Sequence, residues 1–133
     1  IKIYQDKSTL AEAAANQFVA LAGEAIAERG RFAVVLSGGS TPRILFELLA
    51  SPDYIEQVDW QNVHVFWGDE RTVPPDDDDS NYKMANDTLL KYVSIPMPNI
   101  HRMRGEIDAV EAALHYEDEI RHFFGIDEFP FRT

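Results

Sequence analysis

Residues Ser37 to Pro42, reading SGGSTP, bring two glycines, three hydroxyl residues and a proline together directly after the apolar run VVL. Gly38 and Gly39 permit positive φ and close approach of the backbone to a ligand. Ser40 or Thr41 can cap a helix, and Pro42 fits its first position. The N–H groups of a first helical turn, with hydroxyls beside them at the positive end of the helix dipole, make an anion cradle whose commonest occupant is phosphate. The stretch lacks the lysine of a P-loop and the three-glycine spacing of a dinucleotide fingerprint, so neither ATP nor NAD follows from it. The competing reading is a tight turn whose hydroxyls only cap a helix.

A second constellation, WGDERTVPPDDDDSNY from Trp67 to Tyr82, follows another apolar run. Asp69, Glu70 and Arg71 place two carboxylates and a guanidinium at the end of that run. Either they pair with one another and fix the loop, or they face a polar ligand. Arg71 can clamp a phosphate or stabilise an oxyanion, and Asp69 can act as acid, base or hydroxyl acceptor. The aspartates from Asp76 to Asp79 cannot all point at one ion, and an EF-hand's glycine and terminal glutamate are missing. They read as a solvated charge run. Among the histidines, His64 reads as a satisfied core residue, and His115 and His122 share a helix face without metal-ligand spacing. His101, in NIHRMRGE, is the one candidate near a strand end.

These residues need elements to position them. IKIY at 1–4 alternates like a short strand. From Thr9 to Arg29 the pattern is helical, with capping-box spacing from Thr9 to Glu12 and Gly30 as the terminating glycine. RFAVVLS (31–37) and NVHVFWG (62–68) are continuous apolar runs, the signature of strands buried on both faces. Helices are expected from Pro42 to Ala50, from a Ser80 cap to about Val93, and from Asp108 with Glu111 to near Gly125; 99–103 reads as a short strand. Strands alternating with helices predict an α/β domain, a Rossmann-like and mostly parallel sheet with helices on both faces. The loops that follow its strands gather at one edge, where ligands of such sheets sit.

No repeat or low-complexity linker divides the 133 residues, so residues 1–133 read as a single α/β domain. With 12 basic and 23 acidic residues, the net charge of −11 repels nucleic acid, and no basic patch opposes it. No apolar run approaches the roughly 20 residues of a membrane span. The absence of cysteine excludes disulfides and thiolate metal sites and suits the cytoplasm. The chain opens on Ile1 and stops at Thr133 just after an aromatic stretch, which reads as part of a longer sequence.

Taken together, LSGGSTPRILFELL, WGDERTVPPDDDDSNYKMANDTLL and NIHRMRGE, in this order and spacing, resemble the 6-phosphogluconolactonase family. More distantly, the glycine turn with its later Asp-Glu pair is similar to the glucosamine-6-phosphate deaminases. The resemblance implies hydrolysis of 6-phospho-glucono-lactone without a metal or organic cofactor. It implies that Gly38, Gly39, Ser40 and Thr41 line a sugar-phosphate pocket, that Asp69 and Arg71 are active-site residues, and that Ser80 and Asn81 shape the pocket. It also implies a later Asp-Gly-His loop whose histidine activates water. No histidine of this chain follows Asp-Gly, so the chain is expected to be the N-terminal portion of a longer lactonase-like domain, lacking the general base. A sugar-phosphate deaminase or isomerase and a non-catalytic sugar-phosphate-binding module are the alternatives.

Overall fold

The computed structural model describes residues 6–125; the strand expected at 1–4 lies outside them. Four helices, α1 (Lys7–Arg29), α2 (Ser40–Leu49), α3 (Asn81–Thr88) and α4 (Ala109–Phe124), alternate with three strands, β1 (Phe32–Leu36), β2 (Val63–Trp67) and β3 (Ile100–His101). The sheet is parallel with order β1-β2-β3. Phe32 pairs with Val63 and Leu36 with Trp67, so β1 and β2 end side by side. Gly68 N–H donates to Leu36 C=O at 3.2 Å and carries the pairing one residue further.

Side-chain alternation along the strands sorts the helices onto the two faces. Val63, Val65 and Trp67 of β2 and Leu36 of β1 point to one face, where Ala15, Phe18 and Ala22 of α1, Phe46 and Leu49 of α2 and Ala85 of α3 complete an apolar cluster. Leu49 and Leu89 are fully buried there; each such side chain contributes about 2 kcal/mol by removal from water. His64, Phe66 and His101 point to the other face and meet Tyr116 and Phe123 of α4. The Tyr116 hydroxyl fastens α4 to the end of β2, accepting from Trp67 N–H at 2.7 Å and donating to Trp67 C=O at 2.9 Å. Helices therefore cover both faces, as expected, but not evenly: Val35 of β1 is 63% exposed, against the expectation that this strand is buried on both faces. The residues of α4 reach the face over β2 and β3, and Ala33 and Val35 lie beyond that cover.

Helix boundaries follow local chemistry. The start of α1 is capped by Asp6, whose carboxylate accepts from Thr9 N–H at 2.8 Å, and not by the expected Thr9–Glu12 box. Gly30 and Gly125 close α1 and α4 in the left-handed conformation. Asp108 caps α4 through Glu111 N–H as its spacing predicts. Helix α3 stops at Thr88, short of Val93, because Leu89 turns out of helical geometry; a 3₁₀ turn at Leu90–Tyr92 follows.

Candidate active site

The parallel register brings the loop after β1 and the loop after β2 to the same sheet edge. Helix α2 starts two residues earlier than the sequence suggests: Gly39, at φ 111°, is its N-cap, and Ser40, Thr41 and Pro42 form its first turn. No side chain caps this start, which corrects the capping role expected of Ser40 or Thr41 and moves Pro42 to the third position. The chain beyond Gly39 thus presents a helix N-terminus without an acidic residue in its first turn.

Asn81 joins the two loops. Its side-chain Nδ2 donates to the Asp69 carbonyl at 3.2 Å. Its Oδ1 packs against Gly38 so closely that a β-carbon there would overlap it and lie 2.8 Å from Asn81 Cγ. Gly38 is required by this contact.

Asp69 and Arg71 are exposed, and among the described residues neither has an ion-pair partner. The Asp–Arg pairing offered by the sequence is therefore not what fixes this loop. Glu70 fixes it, accepting from Arg71 N–H, Ser80 Oγ–H, Asn81 N–H and Tyr82 N–H. Ser80 is 2% exposed and caps α3, its hydroxyl accepting from Lys83 N–H at 3.1 Å while donating to Glu70. Sequence reasoning named Ser80 and Asn81 and passed over Glu70. The signal was present in Ser80 as a cap, since a carboxylate is welcome beside a helix N-terminus.

A cavity of about 360 Å³ opens beside the loop, between Glu70–Thr72, Met103–Gly105 and the α4 residues Ala112, Tyr116 and Ile120. Of the residues given a site role from the sequence, Arg71 alone lines it. Its far wall is set by a second close approach: a side chain at Gly105 would collide with the backbone carbonyls of Arg71 and Val73. Arg102 and Glu106, joined by bonds of 2.9 and 2.6 Å, brace the loop that carries Gly105. The guanidinium of Arg102 holds the Glu106 carboxyl down at about 2, and Glu106 in turn raises Arg102.

The remaining candidates lie elsewhere. His101 is buried on the α4 face, with Nδ1 against the Glu119 carboxylate and Nε2 3.1 Å from His64 Nδ1. With Nδ1 on Glu119 and Nε2 on His64 Nδ1, both ring nitrogens of His101 are engaged. The His64 imidazole is held below its ordinary value by burial first and then by His101 and Arg31. In the acidic run, Asp78 meets Lys83 Nζ at 3.5 Å and Asp77 accepts from Asp79 N–H. Among the described residues, no group of three histidine, aspartate or glutamate side chains is placed to hold a metal ion. Also among them, no helix is long and apolar enough to cross a membrane.

The arrangement is that of a parallel α/β fold whose two strand-end loops meet at one sheet edge. Residues 5–132 match the family model described as glucosamine-6-phosphate isomerases/6-phosphogluconolactonase, and the chain belongs to this family. It is 49% identical over 115 residues to a probable chloroplastic 6-phosphogluconolactonase 3 of Oryza sativa subsp. indica, covering 86% of this chain and 35% of that protein. Among solved structures it is similar to devB protein, with a TM-score of 0.82 and 38% identity over 91% of this chain and 49% of that one. A 6-phosphogluconolactonase from Thermotoga maritima matches with a TM-score of 0.80 and 30% identity, over 96% of this chain and 55% of its own. The chain thus spans about a third to a half of the length of these relatives.

Proposed function

We propose that the full-length protein hydrolyses 6-phospho-D-glucono-1,5-lactone to 6-phosphogluconate in the oxidative pentose phosphate pathway, and that these residues form the N-terminal portion of one lactonase-like domain. The observation that carries this reading is the Asn81 bridge, which sets the glycine turn beside an exposed carboxylate and guanidinium. The lactonase names of the relatives support it over a deaminase.

In this reading Gly38, Gly39, Ser40 and Thr41 hold the sugar phosphate at the start of α2, where backbone N–H groups and the helix dipole favour an anion. Water adds to the lactone carbonyl, and Arg71 stabilises the negative charge that develops on its oxygen. The bond to the ring oxygen then breaks, that oxygen takes a proton, and the product leaves as the open-chain acid. Asp69 accepts a hydrogen bond from the sugar or relays this proton. Asn81 shapes the pocket wall directly, whereas Ser80 acts through Glu70. The base that activates water is assigned outside these residues, since His64 and His101 bond one another on the α4 face and His115 and His122 are exposed on α4. No metal or organic cofactor enters this scheme. A cytoplasmic location is part of this reading, supported by the cysteine-free composition, and an N-terminal targeting segment in the full-length sequence would overturn it.

The test is lactone consumption by the full-length gene product, followed against the spontaneous rate, beside ammonia release from glucosamine 6-phosphate. Hydrolysis well above background supports the reading. Ammonia release, or hydrolysis no faster than in buffer, overturns it.

A further inference from the structure

We propose that Glu70 is a positioning residue of this site: one carboxylate that locks the Asp69–Arg71 loop onto the first turn of α3 and so sets the spacing between the reacting groups and the glycine turn. The inference rests on the lactonase reading for its kinetic consequence, though not for its geometry.

A carboxylate has two oxygens with about four lone-pair positions, and in Glu70 all are used. Oε1 accepts from Arg71 N–H at 2.9 Å and Asn81 N–H at 2.6 Å; Oε2 accepts from Ser80 Oγ–H at 2.8 Å and Tyr82 N–H at 3.1 Å. Two of these donors, Asn81 and Tyr82, are first-turn N–H groups of α3 that no intrahelical carbonyl can satisfy. The third is the backbone of Arg71 itself. The fourth is the hydroxyl that caps the same helix. Glu70 thus links two chain segments whose only other hydrogen bond among the described residues is that of the Asn81 side chain to the Asp69 carbonyl, and that side chain is the one seated on Gly38. Releasing Glu70 frees Arg71 on one side and Asn81 on the other. Glu70 itself has no free lone pair to offer a substrate, so its effect runs through its neighbours.

The experiment compares Glu70→Gln with wild type in the full-length protein. Glutamine keeps the shape but turns an N–H toward two of the donors. A misplacement of about 1 Å costs on the order of 100-fold in rate, so kcat is expected to fall about that far while KM moves much less. Asp6→Ala, which removes the α1 cap remote from this site, serves as a control that lowers the melting temperature and keeps kcat. A Glu70→Gln enzyme whose kcat matches that of the control overturns the proposal. If Glu70→Gln does not fold, Ser80→Ala removes one donor, and a several-fold loss of kcat is then the expected result, with unchanged kcat overturning it. Should wild type itself fail to hydrolyse the lactone, the lactonase reading falls alone. The Asn81 side-chain amide resonances then decide: a shift on Glu70→Gln supports the lock, and unmoved resonances exclude it.

Discussion

Asn81 Oδ1 occupies the space a side chain would need at Gly38, while Asn81 Nδ2 reaches the carbonyl of Asp69. One amide therefore spans the two strand-end loops, and its seat is the missing β-carbon of a glycine. Gly38→Ala is expected to expel the amide. Overpacking of this kind costs about 1–3 kcal/mol, and in the full-length enzyme the KM for the phosphorylated lactone should rise along with a lowered melting temperature. A variant with wild-type KM would show that the wall formed by Asn81 is not part of the pocket.

Arg71 stands differently. Its side chain is exposed and has no ion-pair partner among the described residues, so truncation removes little that holds the fold. Arg71→Ala should shift stability by no more than about 0.5 kcal/mol. If it stabilises the oxyanion, kcat should drop by roughly 100- to 1,000-fold. Thermal melting and steady-state kinetics on the same sample separate the two effects, and equal activity in the variant refutes the role.

The Tyr116 hydroxyl both accepts from and donates to the main chain of Trp67, and burial pushes its ionisation up to about 12. Tyr116→Phe leaves a buried N–H and C=O without that partner, at about 1–3 kcal/mol. Chemical denaturation of the full-length protein measures the loss. No loss would mean that the other contacts of α4, Phe66 against Phe123 and His101 against Glu119, suffice to anchor it.

The pH dependence of stability has a sign set by His64. Its folded value lies below the ordinary 6.5, chiefly through burial. Between the folded value and 6.5 the unfolded chain binds the extra proton and the folded one does not, so stability is full above 6.5 and declines as the pH falls through that window. His101 and Arg31 act on the same imidazole, and Glu119 holds His101 from its other ring nitrogen. Melting temperatures measured from pH 7.5 to 5 should show the decline, and His64→Phe should flatten it; an unchanged slope in the variant would assign the effect to other groups.

Much of this was legible in the chain. Apolar runs ending in SGG and GDER carry their own prediction, because parallel strands must deliver their following loops to a common edge, and here they do. What escaped the sequence depended on partners distant along the chain. Glu70 meets Ser80, Asn81 and Tyr82 only after the Asp-rich loop has folded back. His101 meets Glu119 only once α4 has docked. The cap of α1 was misassigned because both Asp6 and Thr9 have capping chemistry, and hydrogen-bond geometry chose the earlier. The exposure of Val35 was invisible because an apolar strand does not reveal how far its covering helix extends.

Trp67 closes β2 just ahead of Gly68 and Asp69, its ring set edge-on to Tyr82 with centroids 5.6 Å apart, and its indole N–H is buried with no hydrogen-bond partner among the described residues. The only other tryptophan, Trp60, donates to the Ile55 carbonyl. Within these 133 residues, Trp60→Phe would leave a single tryptophan, resting on the helix turn that Glu70 clamps. The indole of Trp67 is in that sense an optical gauge of the loop beside it.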